Sequence, residues 1–195
     1  MTAVVGLVGK LRQLSLAMMK RGLDDWSQMA ALSVETTDAK VQNVGKRDQL
    51  EKMIPGPVIL IETRVDGRVT GPCFFVFPVA MAANAAGKFV LLPDNAIAAK
   101  MKNGLDEADL EAFREMANLL CGSSNNALTQ LVQGVRLSQS VDALRVQQAL
   151  PGVAGLFDRL PEADIAAVAL SVKLEGQAYT VHHLMPLALA RTMLG

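Results

Sequence analysis

The sequence predicts an α/β fold of the α+β type, in which an internal repeat builds one continuous, mostly antiparallel sheet with two long helices packed on one face. Two hairpin patterns, around Asp66-Gly67 and Glu175-Gly176, each follow a long helical pattern at a comparable distance. Both end in Pro-apolar-Ala-apolar-Ala, starting at Pro78 and Pro186, which argues against chance similarity. Two such units can pair their strands into one sheet. We therefore expect one domain over residues 1–195, with pseudo-symmetric halves of about 1–100 and 101–195.

The first half begins with a helical stretch rich in Leu, Met and Ala. This stretch, Val4 to Met29, predicts one or two helices broken near Gly22. Val34 to Val44 alternates loosely and predicts a strand, and the charged segment Lys46 to Met53 predicts a helical turn. Pro55-Gly56-Pro57 should end that turn.

A β-hairpin is the clearest local signal of this half. Two apolar, β-branched or aromatic runs, Val58 to Val65 and Arg68 to Pro78, flank Asp66-Gly67, a dipeptide typical of tight hairpin turns. Val79 to Ala86 and Pro93 to Met101 then predict two short helices.

The second half opens with the longest helical pattern of the chain, Leu105 to Val132. Asp106 can cap this helix, and Asp109 stands where a capping box needs its partner. The later elements follow in order: a strand at Val141 to Val146, a loop or helical turn at Pro151 to Leu160, a hairpin of Ala166 to Leu174 and Gln177 to Met185, and a short helix at Leu187 to Leu194.

Composition excludes several classes of function. Acidic and basic residues balance at 19 each, which disfavours nucleic acid as the main partner. Cys73 and Cys121 lie in apolar segments and are expected to be buried free thiols. His182 and His183 are neighbours on a predicted strand and point to opposite faces, so we expect no metal site. Met1 to Gly9 lacks the leading charge of a signal peptide, so a cytoplasmic location is expected.

Two stripes run along the long second-half helix. On a helical wheel the apolar stripe that should pack on the sheet consists of Leu110, Phe113, Ala117, Leu120, Cys121, Ser124, Leu128 and Leu131. A neighbouring, exposed row consists of Glu111, Glu115, Asn118, Gly122 and Asn125, spaced four, three, four and three apart.

The exposed row has two interpretations. It can be an ordinary solvated face, or it can be a functional surface. Asn118 lies mid-helix, where no cap explains it, and Gly122 costs roughly 1 kcal/mol relative to Ala. A glycine beside Glu115 and Asn118 indicates that a partner approaches the backbone closely.

The segment Glu115-Met116-Ala117-Asn118, followed by Gly122 and the Ala127-Leu128 pair, resembles the signature helix of the CheC/CheX/FliY phosphatase family. The preceding Leu91-Leu92-Pro93 and the twofold repeat are also similar to that family. The resemblance implies a CheC-like fold and hydrolysis of the aspartyl phosphate of a CheY-like response regulator. It implies catalytic roles for Glu115 and Asn118.

The resemblance also implies partners and cofactors. Glu111, Gly122 and Asn125 would contact the response regulator, whose receiver domain would supply the Mg²⁺, so this chain would need no cofactor of its own. Asn118 would position a water and Glu115 would pair with a receiver lysine. No membrane partner is expected.

Three positions differ from the family pattern, and they keep a second function open. Glu111 stands where Asp or Ser is common, Val141 stands where Pro is common, and residues 1–22 contain no Asp, Glu or Asn. Only one active helix is therefore expected. The alternative is a non-catalytic adaptor, similar to FliM, that binds a response regulator, a flagellar switch or a CheD-type deamidase.

Overall fold

Each half contains a long helix, then strand structure, and then a β-hairpin that leads directly into a short helix. A computed structural model describes residues 2–45, 49–54, 56–138, 145–149 and 164–195. Within them the elements are α1 (Thr2–Ala30), β1 (Val34–Gly45), α2 (Leu50–Met53), β2 (Val58–Gly67), β3 (Gly71–Pro78), α3 (Val79–Phe89), α4 (Asp94–Asn103), α5 (Glu107–Leu131), β4 (Val135–Leu137), β5 (Arg145–Ala149), β6 (Ile165–Leu174), β7 (Gln177–Pro186) and α6 (Leu187–Leu194).

The seven strands form one sheet in the order β1-β6-β7-β3-β2-β4, and β5 also pairs with β2. All pairings are antiparallel, which confirms the predicted fold class. Strands of each half pair with the hairpin of the other half. β1 pairs with β6 of the second half, whereas β4 and β5 pair with β2 of the first. The two halves are thus interlocked.

The central strands β3 and β7 define the pseudo-twofold axis. Phe75 lies opposite His183 in their register, and the two rings stack with centroids 5.0 Å apart. The side chain of His183 points to the helix-covered face of the sheet, where it shares a hydrogen bond with Ser15 of α1, whereas His182 points to the other face. The two histidines are therefore separated by the sheet, as the sequence predicts.

The larger core lies between the sheet and the long helices. Trp26 of α1 is its largest side chain and packs between Phe77 of β3 and Phe113 of α5, with ring centroids 5.3 and 5.7 Å away. A smaller apolar cluster covers the opposite face of the sheet and includes Leu50, Ile54, Phe74 and Leu184. The sheet consequently has two buried faces, and the long helices occupy only one of them.

The prediction that α1 breaks near Gly22 was wrong, because α1 is continuous from Thr2 to Ala30. Gly22 instead permits close packing of α1 against α5. A Cβ at Gly22 would lie 2.5 Å from Leu120 Cδ1. The predicted place of Leu131 in the apolar stripe was also wrong, since this last residue of α5 is 47% exposed.

Other predicted elements match within a few residues. β5 begins at Arg145, so the first part of the strand predicted at Val141 to Val146 lies outside the described residues. The segment predicted at Pro151 to Leu160 and the beginning of the turn at Lys46 also lie outside them. Among the residues that the structure describes, no helix is both long and apolar enough to cross a membrane.

Candidate functional site on helix α5

The candidate site lies on α5, whose start is fixed by a reciprocal cap. The Asp106 carboxylate accepts the backbone N–H of Asp109 at 3.0 Å, and the Asp109 carboxylate accepts the backbone N–H of Asp106 at 3.0 Å. Lys100 of α4 donates to both carboxylates. The hydrogen bond from the Asp109 backbone, followed by that from Lys100, lowers the pKa of Asp106 to about 2. This cap fixes where the first turn of α5 begins.

Helix α1 positions the middle of α5. Trp26 Nε1–H donates to the carbonyl oxygen of Met116 at 2.7 Å, so the indole contacts the turn that carries the candidate pair. About two helical turns further on, Ser123 donates to Asp25, and Ser124 Oγ donates to the Met18 carbonyl at 3.0 Å. These bonds fix both the rotation and the axial position of α5.

Glu115 and Asn118 are both exposed on the outer face of this supported helix. Neither side chain makes a hydrogen bond or ion pair with any residue that the structure describes. Residues three apart on a helix lie about 5–6 Å from each other at Cβ. The carboxylate and the carboxamide can therefore reach the same bound group from adjacent turns.

The other three members of the predicted row differ from this pair. Glu111 is exposed and forms an ion pair with Arg114. Gly122 is half-buried, and a Cβ there would meet nothing within 4 Å. Asn125 is also half-buried, and its Oδ1 accepts the backbone N–H of Leu137 at 2.8 Å. Asn125 thus fixes β4 against α5, and its contact with a partner stays a prediction.

The chemistry available here is positioning and charge. A carboxamide can donate to one group and accept from another, so Asn118 can orient a water molecule. A carboxylate without a cation beside it attracts a lysine or arginine of a partner. Cys73 and Cys121 do not offer a nucleophile, because burial raises the pKa of both thiols, that of Cys121 to about 12.

Sequence reasoning missed the residues that support the site. Trp26 is the single tryptophan of the chain, and its place in an apolar helical pattern was the available signal. The hydrogen bond from the Ser123 hydroxyl to the Asp25 carboxylate joins residues 98 apart in the sequence, and no local pattern indicates it.

Comparison with solved structures finds this fold in proteins of chemotaxis and the flagellum. FliY of Thermotoga maritima has a TM-score of 0.73 at 16% identity, with 96% of this chain and 93% of that chain covered. The FliM middle domain of H. pylori has a TM-score of 0.67 at 8% identity, with 96% of each chain covered. CheX of Vibrio vulnificus has a TM-score of 0.59 at 11% identity, with 88% of this chain and 97% of that chain covered.

No protein-family model and no curated protein sequence matches the chain. The likeness is therefore one of structure. This chain has the fold that FliY, CheX and the FliM middle domains share, as the sequence resemblance predicts.

Proposed function

We propose that this protein is a phosphatase that accelerates hydrolysis of the aspartyl phosphate of a CheY-like response regulator in chemotaxis or a related two-component pathway. The observation that supports this most strongly is the pair Glu115 and Asn118. Both side chains are exposed and have no partner among the described residues, although they stand on a helix that α1 holds at three points. An unsatisfied pair on a rigid helix is suited to insertion into another protein's site.

In the proposed mechanism the response regulator supplies the phosphoryl group and the Mg²⁺ that neutralises its charge. Asn118 orients a water in line with the phosphorus–oxygen bond that breaks. Glu115 pairs with a lysine of the receiver domain and sets the docking position. Phosphoryl transfer depends mainly on such positioning and on charge stabilisation.

A second function, a non-catalytic adaptor in the flagellar switch, is favoured by one specific observation. FliM middle domains share the fold, and H. pylori FliM has been solved in a complex with FliG. An adaptor would use the same outer face for binding and would give no faster hydrolysis.

The exchange Asn118→Ala separates these functions. We expect it to reduce the stimulated release of phosphate from a phosphorylated CheY-like receiver by on the order of a hundredfold or more, since the water loses its orientation. The matched control is Asn126→Ala, which removes an exposed asparagine from the same helix eight residues later. It should keep the wild-type rate.

Binding to the phosphorylated receiver is measured beside phosphate release. A wild-type protein that binds the receiver without accelerating release would support the adaptor. If Asn118→Ala dephosphorylates the receiver as fast as wild type, the role of Asn118 is wrong.

A further inference from the structure

A cavity lies on the face of the sheet opposite to α1 and α5. Its volume is about 330 Å³, and it is lined by Met53, Ile54, Val58, Val76, Pro78, Thr180 and His182. A dry cavity of roughly 150 Å³ is large enough to bind benzene. This one has room for a small aromatic molecule, and its wall is apolar except for one hydroxyl and one imidazole.

Among the residues that the structure describes, the imidazole at this cavity has no hydrogen-bonding partner. His182 is only 5% exposed, and it makes no hydrogen bond or ion pair within the described part of the chain. Its neighbour His183, on the other face, shares hydrogen bonds with Ser15 Oγ at 2.7 Å and Cys73 Sγ at 3.1 Å. Buried polar groups are nearly always hydrogen-bonded. The ring nitrogens of His182 are not sealed inside the protein, so a molecule that enters the cavity can reach them.

The pseudo-symmetry of the sheet shows what the cavity replaces. Because Phe77-Pro78 corresponds to Met185-Pro186, Phe74 corresponds to His182 and Val76 to Leu184. In the register, Phe74 faces Leu184, and Val76 faces His182. The pair Phe74–Leu184 is buried in the apolar cluster of this face. The equivalent pair, His182–Val76, consists of smaller side chains, and the cavity lies beside it.

We propose that this cavity binds a small aromatic molecule that carries a single hydroxyl or N–H group, with His182 as its hydrogen-bonding partner. The ring would contact Ile54, Val58 and Val76, and the polar group would meet His182 near the exposed rim at Thr180. Ligand pockets commonly combine an apolar wall with a few polar groups that fix orientation.

The state of the imidazole agrees with this ligand chemistry. Burial lowers the pKa of His182 to about 4, so the ring is neutral at pH 7. A neutral imidazole has one donor and one acceptor nitrogen. It can accept the O–H of a phenol or the N–H of an indole. A purely apolar ring such as toluene would leave it unpaired.

The test is NMR titration of the intact protein with phenol, indole and toluene, observing the ring signals of its two histidines. We expect phenol and indole to shift the His182 signals saturably and to leave those of His183 unchanged. Toluene should bind at least tenfold more weakly. No saturable shift, or equal shifts of both histidines, would overturn the proposal.

Two variants keep the test decisive. The double exchange Val76→Leu with His182→Phe rebuilds the Phe–Leu pair of the other half, and it should abolish binding of all three probes. His182→Leu should remove the preference for phenol over toluene. If the double variant is folded by circular dichroism and binds phenol as well as wild type, the cavity is not the site.

The same chemistry can come from a free molecule or from a tyrosine of a partner protein. Titration with N-acetyltyrosinamide distinguishes the two sources. Tighter binding of this compound than of phenol indicates a partner's side chain, and weaker binding indicates a free ligand. Either result supports the site, whereas absence of binding by both phenol and N-acetyltyrosinamide overturns it.

Discussion

Helices α1 and α5 occupy equivalent places in the repeat, yet their polar side chains are used differently. On α1, Lys10 donates to the Leu194 carbonyl, Arg12 pairs with Asp38, and Lys20 pairs with Asp24. On α5, Glu115 and Asn118 make no hydrogen bond or ion pair with any described residue. Lys10, Arg12 and Lys20 of α1 therefore serve the fold, whereas Glu115 and Asn118 of α5 are available to a partner.

The two helices also depend on each other. They run antiparallel, since Trp26 contacts Met116 and Met18 contacts Ser124. The half without the Glu/Asn pair thus positions the half that has it. Loss of a site in one copy of a repeat therefore does not make that copy dispensable, because its helix still fixes the geometry of the other copy.

Gly122→Ala tests the outer face of α5, the surface that carries Glu115 and Asn118. A Cβ at Gly122 meets nothing within the protein, so we expect the free energy of unfolding to rise by roughly 0.5–1 kcal/mol. Receiver dephosphorylation should nevertheless fall by on the order of tenfold, because the methyl group obstructs the partner. Urea unfolding and phosphate release measure the two effects. Unchanged release would show that nothing approaches the backbone at Gly122.

Acid should weaken the sheet through the second half more than through the first. Phe74 and Phe75 stand where the second half has His182 and His183, whose pKa values burial lowers to about 4. Below pH 6.5 the unfolded chain binds protons that the folded chain does not, so stability falls as the pH falls from 6.5 to 4. The loss should approach about 3 kcal/mol for each histidine.

Urea unfolding at several pH values measures this loss. The double exchange Val76→Leu with His182→Phe removes one of the two histidines, so its stability should decline less steeply with acid than that of wild type. Equal slopes for the two proteins would contradict the role assigned to His182.

Gly22→Ala tests the inner face of α1, in contrast to Gly122. The added methyl group would approach Leu120 within 2.5 Å. We expect the free energy of unfolding to fall by about 1–2 kcal/mol, because α1 and α5 must separate. The control is Gly9→Ala, on the same helix with nothing within 4 Å, which should stabilise the protein slightly. A Gly22→Ala protein as stable as the Gly9→Ala protein would refute the close packing.

Asp106→Ala gives the smallest expected effect. α5 has a capping box, whereas the first turn of α1 contains no acidic residue. Removing the Asp106 carboxylate leaves the backbone N–H of Asp109 without its acceptor, and the melting temperature should fall by about 2–4 °C. Calorimetry measures the shift, with the exposed Glu107→Ala as the control. An equal effect of both exchanges would mean that the cap adds nothing beyond charge.

Local patterns predicted the elements of the fold well. The Glu175-Gly176 turn, the α5 cap at Asp106 and the Pro186 boundary all depend on neighbours in sequence. The turn predicted at Asp66-Gly67 was misplaced, because both residues continue β2 and pair with Arg136 and Val135 of β4, and the connection to β3 spans residues 68–70. Gly22 was wrongly predicted to break α1, because a glycine that allows a second helix to pack closely cannot be told in the sequence from a glycine that ends a helix. The pairing of β1 with β6 and of β5 with β2 could not be predicted from local sequence, because it joins strands that are distant along the chain.

The site was predictable only in part. The spacing of Glu115 and Asn118 placed both on an exposed face, which the structure confirms. Their freedom from internal partners could not be predicted, because Glu111 has the same periodicity and pairs with Arg114. The cavity at His182 could not be predicted either, because it depends on the space beside Val76, which lies opposite His182 on the neighbouring strand.

The exchange of strands also governs the order in which the chain can fold. β1 finds its partner β6 only after a separation of 120 to 140 residues, from Gly45–Ile165 to Val34–Leu174. Contacts this distant in sequence slow folding. During synthesis β1 leaves the ribosome well before β6. The backbone groups of β1 that pair with β6 therefore stay without these partners until the last hairpin has been made.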